Sequence, residues 1–275
     1  MKNPLTIILT AGLMIYAECS ISSAGNYPAG ARQSGMANSS VTLFDLWSIY
    51  HNQAGLAYLK HISAGIHHEN KFNIKEYALQ AFAIALPVKS GVFGLSLSYF
   101  GYSKYNEIKT GLAFAKSFGD MIYAAVQIDY FNIFISNEYG NKGTALVEAG
   151  FIYKPADKLA IGAHIFNPAH KKISEFGELL PTIFRVGASY NFFDKVILCA
   201  ENEKDIQNIP VYKIGMEYHI NNSFFFRAGL FTNPSQITSG IGYVIKHIKA
   251  DVAFSTHHEL GITPYFSLSY EFNNR

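Results

Sequence analysis

The chain has 275 residues, of which 49% are hydrophobic and only 15% charged, with a formal net charge of +2 at pH 7. A water-soluble globular protein carries about 25% charged residues, so part of this surface faces something other than water. The net charge is too small to argue for a nucleic-acid partner. The 22 Phe, 18 Tyr and 22 Gly suit twisted β structure.

Residues 1–24 read as a secretory signal peptide. Lys2 supplies the positive start, Leu5 to Ala17 the short apolar run, and Ser22-Ser23-Ala24 a small-x-small cleavage pattern, which places cleavage after Ala24. The apolar run is short for a membrane span. Lipoprotein processing at Cys19 is the alternative, opposed by Glu18 at a position where small residues are required. The mature chain then keeps one cysteine, Cys199, which can form no intrachain disulfide.

Residues 25–58 show no strand alternation. They hold Gly25, Gly30, Gly35 and Gly55, the only Trp (Trp47), and a helical-looking stretch around Leu43 to Tyr50. We expect this segment to lie against or inside the domain formed by residues 59–275 and to plug it. Trp47 would be an apolar anchor, Gly55 would allow a close turn into the first strand, and Asn52 and Leu56 would belong to the same unit.

From about residue 59 to the end, the pattern has period two, the signature of strands whose side chains alternate between faces. Phe93, Leu95, Leu97 and Tyr99 alternate with Gly94, Ser96 and Ser98. Phe184, Val186, Ala188 and Tyr190 alternate with Arg185, Gly187, Ser189 and Asn191. One face is large and apolar; the other is small, polar or charged. Fourteen segments are expected, at about 60–70, 77–87, 90–102, 107–118, 120–133, 144–155, 158–167, 181–192, 195–204, 210–220, 223–233, 237–246, 248–256 and 262–272. Their length of about ten residues matches tilted transmembrane strands and exceeds the five or six typical of soluble ones. No later segment offers 18 consecutive apolar residues, so any span must be a closed barrel.

The connections point the same way. Every second one is short: 87–90, 118–120, 155–158, 193–195, 221–222 and 246–247. The long ones, Asn132 to Gly143 and Pro168 to Leu180, fall in the other set. Short periplasmic turns opposite longer external loops are the outer-membrane pattern. The fold class is therefore all-β, a 14-stranded antiparallel transmembrane barrel over 59–275, placed in the bacterial outer membrane after export. Phe93, Leu95, Leu112, Phe114, Ile161, Phe184, Met216, Phe226, Tyr243, Phe254 and Leu268 should face lipid around a polar lumen. Ser96, on the other face, should reach lumen water.

The inward charges are Lys109, Asp129, Glu148, Arg185, Glu201, Lys213, Glu217, Arg227 and Asp251. Four positive against five negative suit a paired network that braces the barrel, because buried charges need partners; a polar solute path is the competing reading. The pairs His67-His68 and His257-His258 fall at external strand ends near one another. Neighbours on a strand point to opposite faces, so at most one of each pair can converge, and no metal site is expected. There is no Gly-x-Ser-x-Gly elbow, His-Glu-x-x-His or Walker loop. Neither an enzyme nor a cofactor is expected, although a lipid-facing Ser-His site of the kind some barrels carry stays open.

The N-terminal segment also carries a resemblance. Gly30-Ala31-Arg32-Gln33-Ser34-Gly35-Met36, then Asp45-Leu46-Trp47, then Asn52-Gln53-Ala54-Gly55-Leu56 resemble the start of FadL-like outer-membrane proteins, in particular the PorV/PorQ-type branch of Bacteroidota. Gln53 stands where those proteins usually have proline. The motif covers about 30 residues. The resemblance implies a 14-stranded barrel with an N-terminal plug, and two kinds of work. One is transport of small hydrophobic compounds. The other is service to the type IX secretion system, with protein partners. The chain is shorter than typical members of either group.

Overall fold

The computed structural model describes residues 24–136, 140–173 and 180–272. The signal-peptide expectation therefore lies outside the described residues, apart from Ala24. Fourteen strands follow in chain order: β1 (Ser63–Asn70), β2 (Ala78–Val88), β3 (Gly91–Tyr102), β4 (Tyr105–Phe118), β5 (Ile122–Ile135), β6 (Gly140–Ala156), β7 (Leu159–Phe166), β8 (Ile183–Phe192), β9 (Val196–Asp205), β10 (Val211–His219), β11 (Phe224–Phe231), β12 (Gln236–Ile245), β13 (Ile248–His257) and β14 (Gly261–Glu271). Each pairs antiparallel with its sequence neighbours. β1 pairs with β14 from Ser63↔Glu271 to Glu69↔Tyr265 and closes the barrel. Closure pairs the backbone within the wall, which hydrocarbon requires. Among the described residues, no helix is long and apolar enough to cross a membrane.

The outer face is apolar. Ile84, Leu95, Leu112, Ile128 and Val147 stand side by side on β2 to β6. Leu112 and Ile128 are 59% and 63% exposed, a degree that suits lipid rather than water for large apolar side chains in a continuous band. The other residues assigned to lipid also point outward, with Met216 and Phe114 half-buried among their neighbours.

Even-to-odd connections are tight, at 89–90, 119–121, 157–158, 193–195, 220–223 and 246–247. We call that rim the turn end and the opposite rim the loop end. The expected loop from Asn132 to Gly143 is mostly strand, since β5 and β6 stay paired out to Ile135↔Gly140. Alternation simply continues past the expected end at residue 133, and the ladder runs on to Ile135↔Gly140. The other long connection spans 167–182, of which 174–179 lie outside the described residues.

Residues 24–58 lie inside the barrel, and nearly all of their side chains are buried. They form a single turn of helix, α1 (Ala31–Ser34), and two 3-10 stretches, Leu46–Tyr50 and Gln53–Tyr58. These elements are too short to be stable alone and owe their form to contacts with the wall.

Candidate functional site

The interior is two-sided, which corrects the expectation of a polar lumen. On β1 to β4 many inward positions are small: Gly65, Ala81, Ala83, Ala85, Gly94, Gly111, Ala113 and Ala115. Against them pack Leu46, Trp47, Ile49, Tyr50 and Leu56 of the inner segment. The fit is close. A Cβ added at Gly94 would stand 2.8 Å from both Ile49 Cδ1 and Leu56 Cδ1, and one at Gly65 2.9 Å from Leu46 Cδ2. Tyr50 donates its hydroxyl between the carbonyls of Phe82 (2.7 Å) and Leu97 (2.9 Å). A second apolar cluster lies higher, at the loop end, made of Phe131, Ile133, Leu146, Phe166, Leu180 and Ile183.

Charge is concentrated on β6 to β13, which carry seven of the nine sequence-assigned lumen charges; Lys109 on β4 and Asp129 on β5 carry the other two, and all nine are buried on the inward face. Lys109 pairs with Glu148 (2.9 Å), which also bonds His164 Nε2 (3.0 Å) and accepts from Gln53 Nε2 (2.6 Å). The residue standing in place of the family's proline thus tethers the inner segment to β6. Arg185 pairs with Glu203 (2.8 Å) and donates to Asn26 Oδ1 (2.9 Å) and the His51 carbonyl (3.3 Å). Lys213 bridges Glu201 (3.4 Å) and Glu203 (2.7 Å). Glu201 Oε2 in turn accepts from the Ser40 and Val41 amides at 2.8 and 2.9 Å. Asp129 takes a hydrogen bond from Gln127 (2.7 Å). Arg227 Nη1 lies 2.8 Å from Asp251 Oδ1, an ion pair without hydrogen-bond alignment.

Glu217 is the hub. Arg32 grips it with two donors, Nε to Oε2 (2.8 Å) and Nη2 to Oε1 (2.7 Å), while Arg227 Nε reaches Oε2 at 2.6 Å. The same Arg32 donates from Nη1 to Asp45 (2.8 Å), and Gln33 holds both Asp45 oxygens at 2.9 and 2.8 Å. The Gly-Ala-Arg-Gln and Asp-x-Trp signatures therefore meet in space as one clamp. Burial pushes the Asp45 carboxyl up, but Arg32 and Lys249, with hydrogen bonds from Arg32 and Gln33, outweigh it and leave it below its usual 3.8.

The sequence-assigned residues of the inner segment take specific places. Trp47 is buried between Tyr50 and His67. Asn52 donates to the carbonyls of Val41 (2.7 Å), Phe151 (3.2 Å) and Ala163 (3.3 Å), joining the segment to β6 and β7. Leu56 is fully buried. Gly55 is needed for a reason other than the expected turn: an added Cβ would overlap the Leu43 carbonyl and stand 2.6 Å from Ser48 Oγ. Ser96 does not reach lumen water; it is 1% exposed. The histidine pairs split as alternation dictates. His67 points in, between Trp47 and Tyr265, and His68 points out. His257 accepts from the amides of Glu259 and Leu260. Among the described residues, no three His, Cys, Asp or Glu side chains group as metal ligands.

Sequence reasoning misses Arg32, Asp45, Glu203 and His164. Glu203 shares its inward parity with Glu201, a usable signal. Arg32 and Asp45 lie where no strand periodicity assigns a face.

His51 gives a pH prediction. Burial, then the positive Arg185, holds its imidazole down from 6.5 to about 3. It stays neutral while packed, and its Nε2 lies 2.9 Å from the Ala29 carbonyl. A released segment takes up the proton below about 6.5, and the packed one only near 3. The histidine's contribution to docking is therefore full above 6.5 and falls as pH drops from 6.5 towards 3. Asp45 acts only below its usual 3.8. Proteolysis of the inner segment should accelerate on acidification from pH 6.5 to 4 in the wild type and much less in His51→Gln. An equal acceleration in both would refute this assignment.

No protein-family model and no curated protein matches the sequence. Solved structures do match the fold. The toluene transporter TbuX of Ralstonia pickettii superposes with a TM-score of 0.69 at 13% identity, covering 89% of this chain and 98% of that one. The P. putida toluene transporter TodX gives 0.68 at 13% identity over 90% and 99%. A FadL homologue of Pseudomonas aeruginosa gives 0.65 at 12% identity over 92% and 99%. The chain thus shares the FadL-like fold, a closed 14-stranded barrel.

Proposed function

We propose that this protein is an outer-membrane channel for small hydrophobic solutes, and that residues 25–58 form a hatch that must shift for a solute to pass. One observation carries the reading. The interior holds two apolar clusters, one of Phe131, Leu146 and Phe166 at the loop end and one where Ile49 and Leu56 pack on the small-residue wall, with Gln127 and Asp129 between them on β5. An ion-selective pore has no use for such clusters, whereas a hydrocarbon would find apolar contact in each of them in turn as the hatch shifts. The three fold relatives named above, two of them toluene transporters, support the same reading. An outer-membrane location follows from the lipid-facing band and the loop asymmetry.

The second reading, a barrel whose partners are secretion-system proteins, draws on the filled interior, since a partner-binding barrel can be solid. Two measurements separate them. Cells with an intact outer membrane that express the protein should accumulate labelled toluene several-fold faster than vector controls. In planar bilayers the full-length barrel should conduct poorly, and a variant lacking residues 26–50 should open a large, steady conductance. No added uptake would reject solute transport. Porin-like conductance unchanged by the deletion would reject the hatch.

A further inference from the structure

The turn end carries a second feature. A cavity of about 550 Å³ lies where the inner segment leaves the barrel and enters β1, lined by Lys60, Lys89 and Lys116 together with Leu59, Val88 and Val92. Its remaining lining is Ala, Pro, Gly and Ser, so no carboxylate faces it. Among the described residues, none of the three lysines makes an ion pair, although Lys154 at the same rim has Asp157 at 3.9 Å. Lys116 only hangs over the Phe118 ring at 5.7 Å. Three ammonium groups around one hollow repel one another, and an anion between them would turn that repulsion into attraction. The floor is apolar. Val92 is buried in the same cluster as Leu56 and Ala57. The Phe93 and Phe114 rings, tilted against each other with centres 4.9 Å apart, mark the membrane-facing side next to it. Aromatic side chains of this kind gather at the boundary between hydrocarbon and water.

We propose that this cavity binds an anionic amphiphile, with the head between Lys60, Lys89 and Lys116 and the alkyl chain over Leu59, Val88 and Val92. The ligand chemistry is a carboxylate or phosphate joined to a hydrocarbon chain. Two sources supply it: a fatty carboxylate solute at the turn-end mouth, or an anionic phospholipid of the adjacent leaflet. The proposal does not rest on the transport reading, because the cavity lies at the rim and is open while the interior is filled.

The test is calorimetric titration of the purified protein in a neutral maltoside detergent. The probes are decanoate, its uncharged counterpart decanol, and dioctanoyl phosphatidylglycerol. Each lysine near an anionic headgroup contributes enough that removing all three should weaken binding about a hundredfold. K60Q/K89Q/K116Q should therefore lose binding of the anionic probes. K158Q/K195Q/K246Q, which removes the same charge from other turns, should keep it within a few-fold. Binding should also weaken as salt rises. Tighter binding of decanoate than of phosphatidylglycerol identifies the solute as occupant, and the reverse order identifies the lipid. The proposal is overturned if decanol binds as tightly as both anionic probes, or if the two triple variants lose affinity equally. Retained heat-dependent gel mobility in each variant shows that loss of binding is not loss of the barrel.

Discussion

Replacing Glu217 by glutamine is expected to cost about 3–5 kcal/mol of stability, because it leaves buried guanidinium charges without their counter-charge. The shape barely changes, so packing loss is not the cause. Glu217 is 2% exposed, and Arg32 and Arg227 both converge on it at 2.6 to 2.8 Å. Arg227 is fully buried and keeps only the poorly aligned Asp251 beside it. Removing one guanidinium together with the carboxylate should recover part of the loss, so R32M/E217Q should be less destabilised than the two single changes summed. Thermal unfolding followed by circular dichroism in detergent checks both values. A loss below about 1 kcal/mol for Glu217→Gln would mean that water or other groups already satisfy the arginines, and that the clamp is not what fixes the segment.

Leu112→Arg should cost about 2–4 kcal/mol on folding into lipid vesicles, the cost of a guanidinium on the lipid face near the bilayer midplane. Leu112 stands between Leu95 and Ile128 in the row of apolar side chains across β2 to β6, and no polar neighbour in that row can take the charge. In detergent micelles the same change should cost much less, since water reaches the outer face there. Arginine at Ser96 makes a contrast of a different kind. That site faces inward and is 1% exposed, so the substitution should be costly in lipid and in micelles alike. If Leu112→Arg were equally harmful in both media, the outward face would not be the lipid face.

The wall of the barrel was almost fully legible in the sequence, because one rule governs it. Side chains alternate, and lipid outside forces the outward set to be apolar along the whole strand. Strand ends moved by only a few residues, and the largest difference is at β5 and β6, which stay paired past residue 133 so that β6 begins at Gly140 rather than at 144. The contents of the barrel were less legible. Residues 24–58 have no period to read, since their conformation is imposed by the wall around them. The motif said that Gly30, Arg32, Asp45 and Asn52 belong together, but nothing in it says that Arg32 reaches Glu217, 185 residues away. The small inward residues of β1 to β4 were visible as Gly, Ala and Ser, yet their meaning appears only once Ile49 and Leu56 are seen filling the space they leave.

That division of the interior bears on the order in which the chain assembles. The inner segment joins directly to β1, and β1 is the strand that seals against β14. The contacts at this seam are among the most distant in the sequence, such as the bond from the Ala31 amide to Ser267 Oγ, 236 residues apart. Loop-closure entropy makes such contacts late events. The small-residue strands β1 to β4 lie next to the segment in the chain and can receive its apolar side chains as an open sheet. Glu201 on β9 and Glu217 on β10 come later in the chain, and they can meet the Ser40 and Val41 amides and Arg32 only once the sheet has curved round the segment. A barrel closed empty would hold Glu201 and Glu217 without the segment donors that complete them.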